Sequence, residues 1–129
     1  MKRLLVIFSI IFAAGCVKNR LYCSKSEIDR VVKLNLTNLR SCYDSQLKVN
    51  SKLTDYIILN WNIGINGEVL RAWINRSTLK NKRIEKCIVD KVKQWTFAKP
   101  NGGICAIKTP ILFNKDGAHF SFGPKNKDQ

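Results

Sequence analysis

The chain has 129 residues, of which 45% are apolar and 25% charged, and its 23 basic against nine acidic side chains give a net charge of +14. That length leaves room for one small domain, and neither an internal repeat nor a proline-rich linker appears in it. The excess of positive charge draws the protein towards something acidic but does not determine a fold.

Lys2 and Arg3 precede an apolar run over residues 4–12, followed by Ala13, Ala14, Gly15 and Cys16. This is the layout of a secretory signal, and the apolar run is short for a bilayer span. The small-residue ending before a cysteine resembles a bacterial lipobox, so residues 1–15 are expected to be a lipoprotein signal peptide. Cys16 would then be the lipidated, palmitate-bearing first residue of the mature chain. Val17 stands where an aspartate would retain the protein at the inner membrane, which points to the outer membrane facing the periplasm. Without residues 1–15 there remain 21 basic residues against nine acidic, a charge of +12. In such a compartment the acidic partners are lipid headgroups, wall polymers and acidic proteins, and nucleic acid is not expected.

Residues 16–26 read as a polar tether. Ser26, Glu27 and Asp29 then resemble a capped, acidic helix start. Ile28, Val31, Val32, Leu36, Leu39, Cys42, Tyr43 and Leu47 recur at three- and four-residue spacing, predicting a helix of roughly five turns with one apolar stripe. Residues 49–55 link it to the strongest signal in the chain, residues 56–76. There Asn66-Gly67 divides two runs of β-branched and aromatic residues and predicts a two-residue type I′ hairpin. The implied register sets Ile63 opposite Leu70, Trp61 opposite Ala72 and Leu59 opposite Ile74 on an apolar face. Asn62 with Arg71 and Asn60 with Trp73 form a mostly polar one.

Ser77 and Thr78, with Glu85 downstream, precede a second helical pattern of Leu79, Ile84, Cys87, Ile88, Val92 and Trp95. Its opposite face carries Lys80, Lys82, Arg83, Lys86 and Lys93. Four cysteines besides Cys16 in an oxidising compartment imply two disulfides, and four allow three connectivities. Cys42 and Cys87 both lie on apolar stripes that one sheet face would bring together, so they are paired, leaving Cys23 with Cys105. There is no Cys-x-x-Cys and only one histidine, His119, so no metal or cofactor is expected. After a turn at Pro100-Asn101-Gly102-Gly103, Ile107, Thr109, Ile111 and Phe113 alternate with Ala106, Lys108, Pro110 and Leu112 as a third strand. Pro110 lacks an N–H, which assigns that strand to an edge, with the first strand central. Residues 115–129 read as a flexible tail.

Cys42-Tyr43, Ile63 with Gly67 and Val69, Ser77-Thr78-Leu79, Cys87, Trp95-Thr96-Phe97, Pro100 with Gly102-Gly103, and then Pro110 and Phe113 follow one another at a characteristic spacing. Together they resemble the carboxy-terminal domain of TonB, and more closely the AgmX/PglI carboxy-terminal branch of TonB-like domains. The likeness runs over most of residues 27–114, the expected domain. Two positions depart from it: Asp55 where glycine is usual and Ala98 where proline is usual. The resemblance implies an α+β fold of order α-β-β-α-β, a three-stranded antiparallel sheet with two helices on one face. Full transducers of this type add a transmembrane anchor and a long spacer, neither of which is expected here.

The functional expectation is a non-enzymatic envelope lipoprotein that binds an envelope protein. TonB-type domains engage a short receptor segment by strand addition. The resemblance therefore implies a site on the last strand at Ile107, Lys108, Thr109, Ile111, Leu112 and Phe113, whose edge would accept an extended peptide. Trp73, an aromatic on the polar sheet face, is a second contact candidate. The alternative is a basic module in which Arg76, Lys80, Lys82, Arg83 and Lys86 hold an anionic polymer or lipid headgroup. An enzyme would need a base, a nucleophile and an orienting partner together, and the pattern offers no such set.

Overall fold

The computed structural model describes residues 23–46, 55–114 and 117–120. The expected signal peptide, the lipidation at Cys16, Leu47 of the helical stripe, most of the link before the hairpin and residues 121–129 of the expected tail lie outside these. Among the described residues no helix is long and apolar enough to cross a membrane. The elements run α1 (Lys25–Gln46), β1 (Asp55–Ile63), β2 (Val69–Ser77), α2 (Lys82–Val92), β3 (Cys105–Asn114) and β4 (Gly117–Phe120).

The fold is mixed α+β, with the antiparallel sheet ordered β2-β1-β3-β4. β1 is central, as its apolar content requires. The sheet has four strands where three are expected. Residues 117–120 of the expected tail pair with the end of β3, from Asn114↔Gly117 to Ile111↔Phe120.

The β1–β2 hairpin departs from the two-residue turn. Gly67 N–H donates to the Gly64 carbonyl and Gly64 N–H to the Glu68 carbonyl, which closes a three-residue loop with Gly67 left-handed at φ +85°. The longer loop sets Ile63 opposite Val69 instead of Leu70. A bulge at Leu70, left 53% exposed, then restores the expected pairs Asn62↔Arg71, Trp61↔Ala72, Asn60↔Trp73 and Leu59↔Ile74. A second irregularity between Ile58 and Leu59 puts Arg76 opposite Ile58.

Alternation along β1 sends Ile57, Leu59, Trp61 and Ile63 into the core, where they are fully buried. Ile28, Val31, Val32, Leu39, Cys42 and Tyr43 of α1 meet Ile84, Ile88 and Val92 of α2 in the same cluster, so the sheet's inner face is covered by both helices. Tyr43 stacks on Phe113, and Trp61, Trp95 and Phe97 form an aromatic group. The helix starts differ from expectation. The first α1 turn closes on Ser24 through the Ile28 N–H. α2 is capped by Asn81, whose side chain accepts from the Arg83 and Ile84 amides. Ser77 ends β2, and Thr78 turns back to β1, where its hydroxyl accepts from the Tyr56 N–H and donates to Asp55.

Disulfides join Cys42 to Cys87 and Cys23 to Cys105. The first ties α1 to α2 over the core; the second fastens the start of α1 to the start of β3.

Candidate functional site

The side chains that alternate away from the core form the other face of the sheet. Register places them in four rows across the strands. Arg71, Asn62 and Ala106 stand in the first, Trp73, Asn60 and Lys108 in the second, Arg76, Ile58 and Pro110 in the third. Tyr56, Leu112 and His119 stand in the fourth. Neither helix lies on this side. Trp73, Ile58, Tyr56 and Pro110 are half-buried, while Arg71, Arg76, Lys108, Leu112 and His119 are exposed.

The Arg71 guanidinium lies 4.7 Å from the centroid of the Trp73 ring. Stacking there holds a cation and an aromatic surface in one place, since the ring's electron-rich face attracts the charge. Asn60, between Trp73 and Lys108, has a buried side-chain oxygen with no hydrogen-bond donor among the described residues. Cationic and polar groups thus dominate the first two rows, and apolar surface the last two.

The six residues expected on the last strand separate by alternation. Thr109, Ile111 and Phe113 are fully buried towards the helices and cannot touch a partner. Ile107 faces the same way and is half-buried. Lys108 and Leu112 alone reach the open face, where they join Trp73. The backbone edge is corrected too. β4 occupies the outer side of β3 at Ile111, Leu112, Phe113 and Asn114, so an added strand cannot pair there. Pro110 lies one residue beyond the last of these pairs.

The proposed basic cluster is also divided. Arg76 belongs to the open sheet face, Lys80 to the connection before α2, and Lys82, Arg83 and Lys86 to α2 itself. Two of the helix lysines are engaged, Lys82 with Glu85 at 3.2 Å and Lys86 with Asp90 at 2.6 Å. The bond from Lys86 holds the Asp90 carboxyl below the usual aspartate range. Residues missed by sequence reasoning are Tyr56, Ile58 and His119. The first two share the even-numbered face of β1 with Asn60 and Asn62, and only their apolar character set them apart from it.

No group of three or more metal-ligating side chains is found among the described residues. The chain matches no protein-family model, no curated protein and no solved structure.

Proposed function

We propose that this is a non-enzymatic, lipid-anchored binding domain of the bacterial cell envelope, and that the helix-free face of its sheet takes a protein partner. The observation that carries the reading is the convergence of Trp73, Arg71, Tyr56, Ile58 and Leu112 on that face. Tryptophan, tyrosine and arginine are the residue types that dominate binding energy at protein interfaces, and a flat sheet presents them together at little ordering cost.

A TonB-like ancestry is supported by the element order through β3, with β1 central, and by the motif residues in the core, among them Cys42, Tyr43, Trp95 and Phe97. The two departures have partners of their own. Asp55 accepts from the Tyr43 hydroxyl at 2.9 Å and from Thr78 at 3.1 Å, which glycine could not. Ala98 donates its N–H to Glu27 at 3.1 Å, which proline could not. The anionic-polymer alternative is weaker because its five cations do not share one surface.

Photocrosslinking probes at Trp73 and Leu112, with Arg83 on α2 as a control, test the reading in bacterial cells carrying the protein. Discrete protein adducts from the two sheet positions and none from Arg83 are expected. Adducts confined to Arg83, or no protein adduct from any position, would overturn it.

A further inference from the structure

The open face differs from the two helices in holding cations with no acid among them, although Lys33, Arg83 and Lys91 on the helices make no ion pair among the described residues either. Arg30, Arg40, Lys82 and Lys86 each lie within 4 Å of a carboxylate on their own helix. Arg71, Arg76 and Lys108 make no ion pair among the described residues, and no aspartate or glutamate stands in the four rows of the face. Glu68 in the hairpin loop accepts from the Asn66 amide, and Asp55, next to Tyr56 in β1, accepts from the Tyr43 and Thr78 hydroxyls. Three unneutralised cations, Arg71 and Lys108 in the first two rows and Arg76 in the third, therefore stand beside an apolar floor of Ile58, Tyr56, Pro110 and Leu112.

This chain's own undescribed segments are poor candidates to cover it. Residues 1–22 hold Lys2, Arg3, Lys18 and Arg20 with no acid, residues 47–54 hold Lys48 and Lys52 with no acid, residues 115–116 hold Lys115 against Asp116, and residues 121–129 hold Lys125 and Lys127 against Asp128. A second copy would oppose like charges, since the whole chain carries +14. A polyphosphate or similar anionic polymer would satisfy the cations and leave the apolar floor without a complement. An acidic polypeptide supplies both.

We propose that the face receives an acidic, extended segment of a partner protein, whose apolar side chains rest on Ile58, Tyr56 and Leu112 while its carboxylates meet Arg71, Arg76 and Lys108. This rests on the reading of the face as a protein-binding surface and names the chemistry of the partner. Carboxylates would pair with cations already held at the margin, and burial of the apolar residues would supply the affinity that survives salt.

The probe is a fluorescently labelled random copolymer of glutamate and tyrosine, compared with polyglutamate and with inorganic polyphosphate by anisotropy against the full chain. Tighter binding of the copolymer than of either comparator is expected. Its affinity should fall about tenfold between roughly 50 and 300 mM salt as the ion pairs are screened. The double variant R71E/K108E should lose about tenfold or more. R83E on α2 should lose nothing. Near-UV circular dichroism of both variants confirms that the aromatic core is intact. Polyphosphate binding as tightly as the copolymer, an equal loss in R83E, or no copolymer binding at low salt would each overturn the proposal. In cells, Trp73 adducts that persist in R71E/K108E would overturn the acidic-segment chemistry and leave protein binding standing. Absence of adducts from the wild-type chain would overturn both.

Discussion

Removing the Cys42–Cys87 bridge should cost this domain a large part of its stability. The bridge spans a sequence separation of 45 residues. Loop-closure entropy for such a span is worth about 4 kcal/mol in the chain-entropy model. Alanine at both positions adds a packing loss of about 1 kcal/mol, because Cys42 is only 1% exposed and its sulfur contacts would not be replaced. Small domains have total stabilities of about 5–15 kcal/mol, so C42A/C87A should stand close to the unfolding threshold at room temperature. Urea titration followed by tryptophan fluorescence reads this directly, since Trp61 and Trp95 are buried in the core. The midpoint should fall steeply. The m-value should rise, because the unfolded chain loses a constraint and exposes more surface. The Cys23–Cys105 bridge spans 82 residues but encloses the inner one, so its removal with Cys42–Cys87 intact should cost less than its full span suggests. A loss under about 1 kcal/mol with an unchanged m-value in C42A/C87A would refute the reasoning.

Gly67→Ala should destabilise by about 3 kcal/mol or more, because the position has φ +85° and an added Cβ would meet the Phe97 carbonyl oxygen at 2.0 Å. Thermal unfolding would check it, with Gly64→Ala as the milder comparison, since only the movable Glu68 side chain stands in its way. Asp55→Ala should cost about 1–2 kcal/mol by removing the carboxylate that accepts from the Tyr43 hydroxyl and, beside the Tyr56 carbonyl, from the Thr78 hydroxyl, and Asp55→Asn less, by denaturant titration. Glu27 is held below the usual glutamate range by its bonds from Arg30 and then from the Ala98 amide. A depressed folded-state pKa means that this contribution is present above the unfolded glutamate range and lost as pH falls through the folded value. Glu27→Gln should therefore lower stability slightly at neutral pH and change little below the folded-state value, where Glu27 is protonated in any case, so that denaturant titrations across pH show a flatter acid limb.

Sequence periodicity alone determined a great deal of this protein. Strand β1, with odd positions apolar and a hairpin after it, defined the central strand and the core face. The three- and four-residue spacing of Ile28, Val31, Val32, Leu39 and Cys42 defined α1 and put Cys42 where Cys87 could reach it. These were legible because burial on one face is a local property, written into alternation or helical spacing. The helix caps, the loop length and the last strand were not legible in the same way. Asn81 outcompeted Ser77 and Thr78 as a cap because Thr78 is held by Tyr56 and Asp55, a contact between residues 22 and 23 positions apart. A one-residue change in loop closure moved Ile63 from Leu70 to Val69, and a bulge reversed it, so the register survived for a reason absent from the turn dipeptide.

The candidate site divides the same way. The sequence singled out Trp73, Lys108 and Leu112, but as members of separate features, an exposed aromatic on one strand and an edge on another. Only the pairing of β1 with both β2 and β3 brings them onto one surface, with Asn60 directly between Trp73 and Lys108. Short β4 then covers the end of the edge that the sequence left open, from Ile111 to Asn114. Local patterns state which way a side chain points; which strands lie beside one another is decided by long-range hydrogen bonding and core packing, and that decides what a partner meets.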